Sequence, residues 1–146
     1  MDGRKTILLT EPDQEFRKAV RKMLRESGYD IVDAKDGREA LSILSTNAID
    51  LIIAALKMPN LDGIELMGEI NRAMISAPVI FVTGYGDIES YMDLMNMGAF
   101  DYLNEPIKAP QILRVVKRAL EAGAGPRSVL RPSRAEVFKE AMAGEY

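Results

Sequence analysis

Short apolar runs alternate along the chain with longer stretches in which apolar residues recur every three or four positions. The runs at 6–10, 30–32, 51–55, 78–82 and 101–103 have strand length and are bounded by polar or turn-forming residues. Between them, 14–27 places Phe16, Val20, Met23 and Leu24 on one face and stops at Gly28, while 38–46 uses Ala40, Leu41 and Leu44. Asp62 is placed to cap a third helix that carries Ile64, Met67 and Ile70. A fourth is predicted over 87–97, before Gly98, and a fifth over 110–122, with Pro110 at a helix-opening position. Strands and helices in strict alternation require crossover connections, hence an α/β protein with a doubly wound, five-stranded parallel sheet. In open sheets of this kind the functional crevice lies at the carboxyl ends of the strands, which directs attention to the turns after Thr10, Ala55, Val82 and Leu103.

Composition narrows the chemistry. The 146 residues are 47% hydrophobic and 28% charged, ordinary values for one domain, expected over 1–122, with an extension over 123–146. Gly123-Ala124-Gly125-Pro126 begins a linker. Beyond it, Ser133 and Glu136 form a capping-box pattern, and Val137, Phe138, Ala141 and Met142 fall on one side of a short helix. So short a helix is marginal alone and must dock on something. A formal charge of -3 argues against direct nucleic-acid binding. Without Cys there is no disulfide, zinc ribbon or thiol nucleophile, and without His the usual general base and commonest metal ligand are missing. No apolar run approaches a membrane span, and the N-terminus lacks the pattern of a signal peptide, so a cytoplasmic protein with no membrane partner is expected.

The four turns read Glu11-Pro12-Asp13, Leu56-Lys57-Met58-Pro59-Asn60-Leu61-Asp62-Gly63, Thr83-Gly84-Tyr85-Gly86 and Asn104-Glu105-Pro106. With Gly98-Ala99-Phe100-Asp101-Tyr102-Leu103 ahead of the last turn, they resemble a response-regulator receiver domain over about residues 5–122. The resemblance implies a flavodoxin-like fold and a phosphoryl group transferred from a histidine kinase to an Asp at the end of the third strand. It also implies Mg²⁺ held by acids after the first strand, a hydroxyl after the fourth and a Lys after the fifth.

Matched position by position, the chain departs from that pattern where the chemistry lies. Ala55 stands at the phosphoacceptor position, Glu11 and Pro12 at the acidic pair, and Glu105 at the Lys position, while Thr83 matches. A methyl group cannot form the acyl phosphate, and Mg²⁺ wants near-octahedral oxygen ligands, so Mg²⁺ binding is expected to be weak or absent. The pattern is that of a degenerate pseudo-receiver: not an enzyme, but a signalling module acting by phosphorylation-independent protein–protein interaction. Two alternatives stay open: Ala55 as an engineered replacement of Asp, or another acid (Glu105, Asp62 or Asp101) as substitute acceptor. A small-ligand pocket finds little support, since no Gly-rich loop follows the first strand and Glu11 would repel an anion.

Lys57 is expected to pair with Glu11 or Glu105. Arg17, Lys18, Arg21, Lys22 and Arg25 make a basic stripe, read as a solvated face on the side where family members dock kinases. In the fourth helix Ile88, Met92 and Met95 are assigned to the core, which sends Tyr91, Leu94 and Met97 to another face. Together with Tyr102, at the family's aromatic switch position, they form a candidate interface for a histidine kinase, an output domain or a second copy.

Overall fold

The structure, a computed structural model, describes residues 3–84 and 88–122. Its elements run β1 (Thr6–Thr10), α1 (Gln14–Glu26), β2 (Asp30–Ala34), α2 (Gly37–Thr46), β3 (Leu51–Ala55), α3 (Gly63–Arg72), β4 (Val79–Thr83), α4 (Ile88–Asn96), β5 (Asp101–Asn104) and α5 (Ala109–Ala122). The strands form one sheet in the order β2-β1-β3-β4-β5, and every neighbouring pair is parallel. This is the doubly wound parallel sheet expected from the alternating pattern, in the flavodoxin-like form that the resemblance implies.

Strand residues alternate between two cores because successive side chains point to opposite faces. Ile7, Leu9, Leu51, Ile53, Ile80 and Val82 pack under α1 and α5, which contribute Val20, Leu24, Ile112 and Val116. Leu8, Ile52, Ala54, Val79 and Phe81 pack under the other helices, with Ala40 from α2, Leu66, Met67 and Ile70 from α3, and Leu94 and Met95 from α4. Three helices begin on Asp caps: Asp13 accepts from Glu15 and Phe16, Asp36 from Glu39, and Asp62 shares a reciprocal capping box with Glu65.

Several boundaries differ from expectation for visible reasons. β2 continues beyond 32, with Asp33 and Ala34 in register with Leu9 and Thr10. Asp33 looks like a strand breaker in sequence, but Arg17 and Arg21 from α1 both reach its carboxylate. The same contacts correct the solvated stripe: Arg17 and Arg21 fold back onto β2, and Lys18, Lys22 and Arg25 are left exposed. β4 starts at Val79 because Pro78 has no N–H to give, although its carbonyl still accepts from Ile52 at 2.9 Å.

The largest correction concerns α4. Leu94 is 0% exposed and belongs to the core, whereas Ile88, assigned to the core from sequence, is 77% exposed. Met97 faces α3: a methyl on Gly68 would lie 3.7 Å from its Cε, and its carbonyl accepts from Asn71. This short helix is apolar on several sides, so periodicity alone does not set its rotation, and contact with the sheet does. The tail at 123–146, with its expected linker and short helix, lies outside the described residues, as do Tyr85, Gly86 and the predicted helix start at Asp87. Among the described residues no helix is long and apolar enough to cross a membrane.

Candidate functional site

Backbone hydrogen bonds set the crevice at the carboxyl edge of the sheet. The Glu11 amide donates to Ala34 O at 3.0 Å, Leu56 to Val82 O at 3.0 Å, and Glu105 to Thr83 O at 2.8 Å. Each strand therefore carries its neighbour's pairing one step into the turn, and the side chains at 11, 55, 83 and 105 share one edge.

Glu11 is only 8% exposed, and its Oε2 accepts the Asp13 amide at 2.9 Å. Burial pushes its carboxyl above the ordinary range, and the nearby carboxylates of Glu105 and Asp13 add to this. The Asp13 N–H and the positive charge of Arg17 act in the opposite direction. Arg17 also donates to the Glu11 carbonyl, linking the turn to α1 and, through Asp33, to β2. Pro12 follows with no side-chain oxygen and no N–H.

Ala55 is buried at the end of β3, in register with Val82. The chain beyond it is closely packed: Gly63 donates to Leu56 O at 2.7 Å, and a methyl on Gly63 would lie 2.9 Å from Leu56 Cα and 3.0 Å from Ala55 O. Only a glycine admits the backbone of β3 so near the start of α3. Thr83 is buried at the end of β4. Glu105 is exposed, with its carboxylate over the next turn: a methyl on Gly84 would lie 3.9 Å from Glu105 Oε2. Lys57 is exposed on the β3–α3 turn.

Of the alternative acceptor acids, Asp62 and Asp101 are engaged elsewhere. The Asp62 carboxylate caps α3, and Asp101 sits at the N-terminal end of β5 with Arg118 3.0 Å away. Of the candidate interface residues, Tyr91 is 37% exposed and stacks edge-on against Tyr102, ring centres 5.6 Å apart, while Tyr102 itself is buried. Leu94 and Met97 do not join them.

One feature escaped sequence reasoning. Asn60 adopts a left-handed backbone with φ 69 and donates to Asp36 Oδ2 at 3.2 Å. Beside it Leu61 presses on Gly37, where a methyl would meet Leu61 O at 2.4 Å. The turn after Ala55 is thus clamped to the start of α2. The Asp36-Gly37 pair and an Asn in a turn were the available signals, but a 24-residue separation hides their meeting.

A parallel sheet wound on both faces, with its site in the turns after β1, β3, β4 and β5, defines a flavodoxin-like protein of the receiver type. Residues 7–117 match the response regulator receiver domain, and the chain belongs to that family. It is 30% identical over 136 residues to the transcriptional regulatory protein GlrR of Escherichia coli (strain K12), covering 93% of this chain and 29% of that protein. Over 112 residues it is 34% identical to the response regulator protein FleR of Pseudomonas aeruginosa, covering 77% of this chain and 24% of that one. The chain thus spans under a third of the length of these relatives. Among solved structures, a receiver domain protein from Clostridium thermocellum superposes with a TM-score of 0.77 at 28% identity, covering 82% of this chain and 97% of the other. Receiver domains are signalling modules of two-component systems, and this chain is one of them by family.

Proposed function

We propose that this receiver domain is a pseudo-receiver, signalling through protein–protein contacts without accepting a phosphoryl group. The observation that carries the reading is Ala55, a buried methyl at the end of β3 where the family has its acceptor carboxylate. Its neighbours support it. Glu105 brings a negative charge to the position where the family places a cation against the phosphoryl oxygens, and Glu11 already accepts a backbone amide. The oxygen donors at the crevice do not fit Mg²⁺, because Pro12 and Ala55 have no side-chain oxygen, Asp13 and Asp62 are engaged as helix caps, and only Glu11 and Glu105 remain. Among the described residues no group of three or more His, Cys, Asp or Glu side chains could hold a metal ion. Partial neutralisation of Glu11 or Glu105 by Lys57 belongs to the same reading.

The partner is a protein: a histidine kinase, an output domain or a second copy, meeting the α4–β5–α5 face. With Leu94 and Met97 removed from that face, Tyr91 and Ile88 are its apolar anchors. Incubation of the protein with acetyl phosphate and Mg²⁺ tests the central point. Intact-mass measurement is expected to show no added phosphoryl group, and a base-labile phosphoryl adduct would overturn the reading.

A further inference from the structure

Two helices on opposite faces of the sheet carry exposed polar stripes of opposite charge with the same spacing. On α1, Lys18, Lys22 and Arg25 are exposed on the side away from the buried Val20 and Leu24. On α4, Glu89, Asp93 and Asn96 are exposed in the same i, i+4, i+7 pattern, and the helix contains no Lys or Arg. Among the described residues none of the five charged side chains in these stripes forms an ion pair. Arg17 and Arg21, not the exposed three, reach Asp33, and Glu15 and Glu26 near the ends of α1 form no ion pair either. Each stripe therefore sets like charges one turn apart, Lys18 beside Lys22 and Glu89 beside Asp93, which is unfavourable within an isolated helix. A surface of the opposite sign relieves both.

From this matching we infer that copies of the chain associate head to tail, the basic stripe of α1 on one copy seated against the acidic stripe of α4 on the next. Charge and spacing select the occupant. Four residues of helix rise about 6 Å, so the two lysines of one copy stand opposite the two carboxylates of the other whichever way the helices run. Ile88, 77% exposed beside Glu89, adds apolar area on α4, and Ala19, exposed between the lysines, lets the helices approach. α1 packs with the core on one face of the sheet and α4 with the core on the other. The stripes therefore cannot meet within one molecule, nor can two copies make both contacts at once. Each copy added leaves one stripe of each sign free, so association proceeds beyond a dimer. Exposed pairs contribute little each, which makes the contact weak and salt-sensitive. The inference rests on the reading of α4 as part of an interface and names what that helix meets.

Sedimentation equilibrium at rising protein concentration tests the contact. At about 10 mM salt, where screening is weak, the weight-average mass is expected to climb past that of a dimer, and at about 1 M salt to return to that of the monomer. Lys18→Glu with Lys22→Glu, and separately Glu89→Lys with Asp93→Lys, should each abolish the climb. All four substitutions in one chain restore complementarity and should restore it. Lys35→Glu with Arg38→Glu, both exposed near the start of α2, gives the same net charge as the α1 pair and should leave the climb intact, which separates a specific contact from general repulsion. A parent that stays monomeric at every concentration, a mass that levels off at a dimer, a fourfold variant that stays monomeric, or a control pair that also loses the climb would overturn the proposal. Loss of the climb with the α4 pair but not with the α1 pair would keep the α4 face and refute this occupant. No phosphodonor enters the experiment, so its failure leaves the reading of the crevice intact.

Discussion

Glu11 is held at the crevice by opposing influences, and the balance has a sign that can be measured. Burial and the Glu105 carboxylate outweigh the Asp13 amide and Arg17, so its folded-state pKa lies above the ordinary 4.5. A group of this kind binds its proton more tightly when folded. Its contribution to stability is complete below about pH 4.5 and is lost as pH rises through the folded value. Glu11→Gln keeps an oxygen for the Asp13 amide and removes the titration. The variant should therefore be more stable than the parent at pH 7, with the difference shrinking toward pH 4. Urea denaturation across that range checks this, and a gap that widens on acidification would reverse the assignment. Asp36 has the opposite sign: the Glu39 amide and Asn60 lower its pKa, and its contribution is present at neutral pH and lost on acidification. Residue identities at the crevice were legible in sequence because each stands one step beyond an apolar strand. The tie from Arg17 and Arg21 to Asp33 was not, since spacing along one helix carries no information about a carboxylate on a neighbouring strand.

Among the elements, α1 and α2 could be placed from sequence by their apolar stripes, α3 by its stripe and the Asp62 cap, and α5 by Pro110 at its opening, while the Asp13 and Asp36 caps emerged only in the structure. α4 lacked both cues, and its rotation was misassigned. The corrected rotation reverses the expected cost of two substitutions. Leu94→Glu places a charge in the core between α3 and β5 and should destabilise by about 4 kcal/mol or more, or prevent folding. Ile88→Glu, in the first turn and largely in water, should stay within about 0.5 kcal/mol of the parent. Thermal melts of the two proteins side by side distinguish this rotation from the one read in the sequence. A tolerated Leu94→Glu would mean that α4 is turned the other way.

For the molecule as a whole, strand count and parallel direction followed from the alternation of apolar patterns, but strand order did not, because pattern says nothing about which strand lies beside which. That order brings Glu11, Ala55, Thr83 and Glu105 to one edge from four separate turns. They are expected to behave as one unit. Beryllofluoride with Mg²⁺, a phosphoryl mimic, should leave the amide spectrum of the parent unchanged, since a ligand shifts a conformational equilibrium only through differential affinity. Ala55→Asp alone should not restore a full response, because Pro12 still denies an oxygen and Glu105 still repels the mimic. Pro12→Asp, Ala55→Asp and Glu105→Lys together should give shifts reaching Thr83 and Tyr102, far beyond the sum of the single changes. Large shifts with the parent or with Ala55→Asp alone would show a more competent crevice.

The sheet order also bears on how the chain is made. β1 lies between β2 and β3, while β4 and β5 are added outward in the order of synthesis. From β3 onward, a growing chain therefore shows its newest strand as an open edge on that side. While that strand is β3 or β4, whose residues are all buried in the finished fold, the edge is apolar, the kind that pairs with other unfinished chains. β5 ends the series with Asp101 and Asn104 at its two ends, and β2, the opposite edge, carries Asp30 and Asp33. The vulnerable interval during translation thus opens with β3 and closes when β5, with its polar ends, takes the outer position.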